Sequence, residues 1–127
     1  MSKPISILYV EDEPAIRDVM VECLTTMGYH VTPAEEGHSA LEHFKRAKLD
    51  PANTQFSLII TDINMPGMDG IKLIKEIHQL DQEIPIFAIS GYLKNSEYVK
   101  ELPQGIIYYS KPVRVKDLSA KIQEVVK

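Results

Sequence analysis

A single α/β domain built on a parallel sheet is predicted for this chain, and three observations predict it. Short apolar runs alternate along the length with stretches of helical period. Such alternation forces right-handed crossovers, with helices on both faces of one sheet. Most of the runs are continuously apolar, as in strands covered on both sides. Three of them end in similar chemistry: residues 5–10 lead into Glu11-Asp12-Glu13, residues 56–61 into Asp62, and residues 105–110 into Lys111-Pro112.

Residues 5–10 read as the first strand. Ile16, Val19, Met20, Cys23, Leu24 and Met27 then recur at i, i+3, i+4, i+7, i+8 and i+11, one stripe of an amphipathic helix. Pro14 suits its first turn and Gly28 its end. Residues 29–32 make a second strand, short and polar enough for a sheet edge. Gly37 precedes Ala40, Leu41 and Phe44 in a second helix that ends near Lys48. Residues 49–55 are turn-rich and read as a surface loop. The strand ending at Asp62 follows, then a helix marked by Ile71, Leu73, Ile74, Ile77 and Leu80. Residues 84–90 give the fourth strand. Residues 94–102 are a weak helix, with only Val99 and Leu102 clearly apolar. Residues 106–110 give the fifth strand, and Val115, Leu118, Ile122 and Val125 mark the closing helix.

Composition narrows the function. A chain of 127 residues suits one domain with its own core, and residues 1–127 show no repeat, low-complexity segment or interdomain linker. The apolar fraction of 44% and charged fraction of 25% are those of a globular protein. Fourteen basic against eighteen acidic residues give a net charge of −4, so direct nucleic-acid binding is not expected. No apolar stretch approaches the ~20 residues of a membrane span, and the N-terminus lacks the apolar region of a secretory signal. Cys23 is the only cysteine, which leaves no internal disulfide and no cysteine metal cluster. A cytoplasmic protein is expected.

Ligands of open α/β sheets bind outside the carboxyl ends of the strands. Glu11, Asp12, Asp62, Ser90 and Lys111 all fall at such ends, on four different strands. Carboxylates a few ångströms apart repel by roughly 4 kcal/mol per pair near a surface. A bound cation, a shared proton or a lysine relieves this, and Mg²⁺ suits a site offering few carboxylates plus water and phosphate oxygens. Each residue also has an ordinary use. Glu13 before Pro14 reads as a helix cap and Asp69 before Gly70 as turn chemistry. Ser90 alone would be a capping hydroxyl, and Lys111 alone a solvated charge. The functional reading rests on all four strand ends carrying suitable chemistry at once. His30, His38, His43 and His78 read as surface or boundary residues, not a site.

Taken in order, Glu11-Asp12, Asp62 with Met65-Pro66-Gly67-Met68-Asp69-Gly70, Ser90-Gly91 and Lys111-Pro112 closely resemble the receiver domain of two-component response regulators. Ala34 to Leu41 resemble that family's entry into its second helix, and the match covers essentially the whole chain. The resemblance implies a flavodoxin-like, doubly wound five-stranded parallel sheet of order 2-1-3-4-5, with five helices on both faces. It implies that Asp62 accepts a phosphoryl group from a phosphohistidine of a histidine kinase or phosphotransfer protein. Asp12 would then bind Mg²⁺ directly, Glu11 largely through water, and Asp62 and the backbone carbonyl of Asn64 would complete the protein's ligands. Lys111 would pair with phosphoryl oxygens, Ser90 would turn its hydroxyl toward them, and Tyr108 would change rotamer in step. A cis Lys111–Pro112 bond is also implied.

Two positions depart from the commonest pattern. Glu11 stands in place of an aspartate and Ser90 in place of a threonine. Loss of the stiffening β-methyl at Ser90 implies a looser switch, partly active before phosphorylation. The 49–55 loop is longer than usual and reads as a neutral insertion or a partner contact. Four of the six tyrosines (Tyr92, Tyr98, Tyr108, Tyr109) fall between residues 92 and 109, over the weak helix and the fifth strand, the family's usual output face. Tyr108 is assigned to switching and Tyr92 or Tyr98 to partner contact, with phosphorylation-dependent dimerisation through this face also open. Tyr109 alternates opposite to Tyr108, toward the core. Tyr92 is placed to shield an acyl phosphate from water, which implies slow to moderate dephosphorylation. Two other functions stay open: a Mg²⁺-dependent aspartyl phosphatase of the haloacid dehalogenase type, and a receiver-like scaffold that is never phosphorylated. Asn64, where that phosphatase motif has a second aspartate, weighs against the first. Retention of Asp62, Lys111 and the acid pair weighs against the second.

Overall fold

The computed structural model describes residues 4–50, 52, 55–63, 70–91 and 102–126. Within them the order is β1 (Ser6–Val10), α1 (Pro14–Thr26), β2 (His30–Ala34), α2 (Gly37–Leu49), β3 (Leu58–Asp62), α3 (Gly70–Leu80), β4 (Ile86–Ser90), β5 (Ile107–Ser110) and α4 (Val115–Val125). The strands form one sheet in the order β2-β1-β3-β4-β5, and all four pairings are parallel. This is the flavodoxin-like arrangement expected. Four helices are seen among the described residues. The helix expected over 94–102 lies, apart from Leu102, outside them.

The continuous apolar runs have a direct cause. All five residues of β3 and all five of β4 are buried, because helices cover both faces of the sheet. Alternate side chains feed two cores. Leu8, Val10, Ile59 and Ala88 meet Phe44 of α2 and Ile74 and Ile77 of α3 on one face. Ile7, Tyr9, Ile60 and Phe87 meet Leu24 of α1 and Leu118 and Ile122 of α4 on the other. Each large aliphatic side chain so buried contributes roughly 1.5–3 kcal/mol.

Three local expectations need correction. Of the α1 stripe only Met20 and Leu24 are buried, while Ile16, Val19 and Met27 are 39%, 58% and 48% exposed. The helix shares its face of the sheet with α4, so only a narrow strip reaches the core. The second strand starts at His30 and runs on to Ala34. It includes Pro33, which an edge strand tolerates because one side of its backbone is unpaired. Tyr29 precedes the strand and is buried, its hydroxyl 2.8 Å from Ser119 Oγ and accepting from Gln123 Nε2 at 2.9 Å. Gly28 does end α1, at a φ of 101° that suits glycine.

Register sets the carboxyl edge. Val10 pairs with Thr61, which puts Glu11 level with Asp62. Asp62 pairs with Ile89, and Ser90 with Ser110. Glu11, Asp62, Ser90 and Lys111 therefore leave four adjacent strands at nearly one level.

Candidate functional site

The acids converge at that edge. Glu11, Asp12 and Asp62 each offer a carboxylate oxygen, all within 4.8 Å of one another, and no other such group of three His, Cys, Asp or Glu occurs among the described residues. Glu11, Asp62 and Ser90 are buried and Asp12 is exposed. Lys111 enters from the other side. Its Nζ donates to Asp62 Oδ2 at 2.6 Å and lies 3.5 Å from Glu11 Oε1. Its backbone N–H donates to the Ser90 carbonyl at 3.0 Å, and the Lys111–Pro112 bond is cis as expected.

The backbone around the acids is tied to neighbouring elements. The Glu11 N–H donates to the Ala34 carbonyl at 3.1 Å. The Glu11 carbonyl accepts from Arg17 Nη1 at 2.9 Å, and Glu11 Oε2 accepts from the Glu13 N–H at 3.3 Å. The Asp62 carbonyl accepts from the Thr61 hydroxyl at 2.9 Å. Ile63 donates to the Ile89 carbonyl at 2.9 Å and accepts from the Gly70 N–H at 2.8 Å. The start of α3 thus folds against the phosphoacceptor candidate's own backbone. A Cβ on Gly70 would stand 2.2 Å from the Asp62 carbonyl oxygen, so only glycine fits.

Charge crowding is evident. Burial above all, then a bond with Asp12 and, to a lesser degree, the charge on Asp62 push the Glu11 carboxyl up to about 7, against the lowering effects of the Glu13 N–H and Lys111. Burial alone would lower the Lys111 ammonium, but its bond to Asp62 and the attraction of Asp62 and Glu11 raise it above its ordinary value. Beneath the acids, burial and the charges of Glu11 and Asp62 raise the Tyr9 phenol well beyond its usual range. Three hard oxygen donors, a deficit of positive charge and one solvent-exposed carboxylate fit Mg²⁺, which retains several waters when bound. A cavity of about 400 Å³ opens beside the site, lined mainly by Tyr9, Ile16, Met20, Ile89, Pro112 and Val113.

The structure therefore brings together Glu11, Asp12, Asp62, Ser90 and Lys111. Tyr108 lies two residues short of the edge, partly buried against the core on the α2 and α3 side, while Tyr109 faces the other core and packs on Phe87. Asn64, Asp69, Tyr92 and Tyr98 lie outside the described residues. Glu13 takes the cap position of α1, but its side chain makes no cap bond, and its backbone N–H donates to the carboxylate of Glu11. His30 and His38 are exposed and His43 and His78 partly buried. His30 and His43 line one cleft at the amino end of the sheet. Sequence reasoning missed Arg17 and Thr61, whose bonds to distant or adjacent carbonyls leave no spacing signal. Gly70 was visible, but only as part of a turn.

Comparison with known proteins agrees with this geometry. The family model described as response regulator receiver domain matches residues 7–123. The chain is 35% identical over 122 residues to the response regulator receiver protein CpdR of Brucella abortus (strain 2308), covering 94% of each. It is 31% identical to the two-component response regulator ORR24 of Oryza sativa subsp. indica, covering 95% of this chain but only 18% of that regulator. Its fold matches the crystal structure of the response regulator protein TrrA of Thermotoga maritima in complex with Mg(2+)-BeF. There the TM-score is 0.75 and the identity 26%, over 96% of this chain and 99% of that one.

Proposed function

The chain belongs to the response regulator receiver domain family, and we propose that it is a phosphorylation-controlled binding switch with Asp62 as the phosphoacceptor. The observation that carries this reading is the Lys111 ammonium 2.6 Å from Asp62 Oδ2 inside a cluster of three carboxylates. An Asp62 oxygen attacks the phosphorus of a phosphohistidine, the P–N bond breaks, and the imidazole leaves. The product is an acyl phosphate that water later removes.

Charge stabilisation and positioning supply nearly all of the catalysis in such transfers. Lys111 follows the transferred oxygens as a fixed cation. Asp12, Glu11 through water, Asp62 and the Asn64 carbonyl would hold Mg²⁺, which would neutralise phosphoryl charge. Ser90, buried beside Asp62, donates its hydroxyl to the new group, and Tyr108 shifts with it. The signal leaves through the face at residues 92–109, where Tyr92 and Tyr98 meet a protein target. The donor is a histidine kinase or phosphotransfer protein in the cytoplasm, and the apolar cleft of Ile16, Pro112 and Val113 gives it a surface beside Asp62. The chain's own chemistry is limited to gaining and losing this phosphoryl group.

Incubation with Mg²⁺ and acetyl phosphate tests the reading by intact mass. One long-lived phosphoryl adduct that depends on Mg²⁺ supports it. Rapid turnover of many phosphate esters supports a phosphatase instead, and no adduct supports a scaffold.

A further inference from the structure

Arg17 holds the backbone on both sides of Asp12. Its guanidinium Nη1 donates to the Glu11 carbonyl at 2.9 Å, and its own N–H donates to the Glu13 carbonyl at 2.9 Å. The second bond belongs to the first turn of α1 and any residue would make it. The first depends on the arginine side chain reaching back six positions across the loop. With the Glu11 N–H held by Ala34 across the sheet, the peptide groups on either side of Glu11, the second of them leading into Asp12, are fixed from β2 and from α1. The Glu11 carboxylate bonded to the Glu13 N–H closes the loop from inside.

We infer that Arg17 is a positioning residue for cation binding: it sets the angle at which Asp12 and Glu11 present their carboxylates to Mg²⁺. This rests on the Mg²⁺-dependent reading above. Groups that orient metal ligands from behind typically matter 10–100-fold in affinity. The idea has a distinctive sign. Arg17 is itself a cation beside an acidic cluster, so removing its charge alone should tighten Mg²⁺ binding by relieving repulsion. Removing a brace should weaken it.

The test follows the ¹⁵N-labelled protein by NMR during Mg²⁺ titration, comparing native protein, Arg17→Met and Arg17→Lys. Arg17→Met keeps most of the aliphatic stem but neither the donor nor the charge, and Arg17→Lys restores one donor. The inference expects roughly 10-fold weaker Mg²⁺ binding in Arg17→Met and recovery of most of that loss in Arg17→Lys. It also expects faster amide exchange at Asp12 and Glu13 in the Mg²⁺-free Arg17→Met protein, with the exchange of β3 and β4 amides unchanged. Equal or tighter Mg²⁺ binding in Arg17→Met overturns the inference while leaving the proposed function standing. Weaker binding with uniformly faster exchange throughout the core also overturns it, since Arg17 would then be stabilising the fold at large. No Mg²⁺ binding by the native protein removes the proposed function itself.

Discussion

Lys111 Nζ and Asp62 Oδ2 lie 2.6 Å apart across the gap between β5 and β3, so the lysine supplies part of the positive charge that the clustered acids need. It relieves the repulsion among the acids and, on the proposed function, would also meet the phosphoryl group. Lys111→Met should therefore act in opposite directions on two measurements. Mg²⁺ affinity should rise, because a competing cation is gone. The rate of phosphorylation by acetyl phosphate should fall roughly 10²-fold, the usual effect of losing one preorganised charge partner. Stability without metal should fall by about 1–2 kcal/mol, less than for a fully buried pair because the lysine side chain is 32% exposed.

Glu11 gives the metal-free protein an unusual pH response. Its carboxyl ordinarily titrates at 4.5 and here, mainly through burial, at about 7. Between those values the folded state keeps a proton that the unfolded chain has lost, so this group makes stability fall as pH rises from about 4.5 to 7. The full contribution is on the order of 3 kcal/mol. Denaturant melts at pH 5 and pH 7 should show the loss, Glu11→Gln should flatten it, and saturating Mg²⁺ should remove it by favouring the carboxylate. Asp81 does not interfere. The bond from Lys48 holds it below its ordinary 3.8 despite burial, so its contribution is present above that value and lost only as pH falls further.

Gly70→Ala reverses a general preference. Alanine favours helix over glycine by roughly 1 kcal/mol, yet here its Cβ would meet the Asp62 carbonyl oxygen at 2.2 Å and Ile63 Cα at 2.6 Å. Both contacts are backbone and cannot swing away. A net loss of about 2 kcal/mol is expected, read as a lower Tm, together with slower phosphorylation because Asp62 is displaced.

Much of this was readable from residue order, for a physical reason. Continuous apolar runs such as 58–60 and 86–89 report strands covered on both faces, and a parallel sheet brings all its carboxyl ends to one edge. Asp62, Lys111 and the acid pair could therefore be assembled without coordinates. The α1 stripe misled because periodicity shows which residues share a side of a helix, not how much of that side a neighbour such as α4 leaves to be covered. Arg17 was invisible because its partner is a carbonyl, which every residue has. The tight approach of Gly70 to Asp62 is likewise a matter of backbone distance.

Tyr29→Phe supplies a control far from the site. It removes the hydroxyl that joins the start of β2 to Ser119 and Gln123 of α4. A loss of about 1 kcal/mol is expected, with Mg²⁺ affinity and phosphorylation rate unchanged.

Among the crowded acids, Asp62 is the one proposed to become an acyl phosphate. Borohydride reduces an acyl phosphate to the alcohol, so the acceptor aspartate is recovered as homoserine in a peptide map. After incubation with Mg²⁺ and acetyl phosphate, homoserine is expected at position 62, absent without Mg²⁺ and absent in Asp62→Asn. Homoserine at position 12 instead, or unmodified carboxylates throughout, would contradict the account.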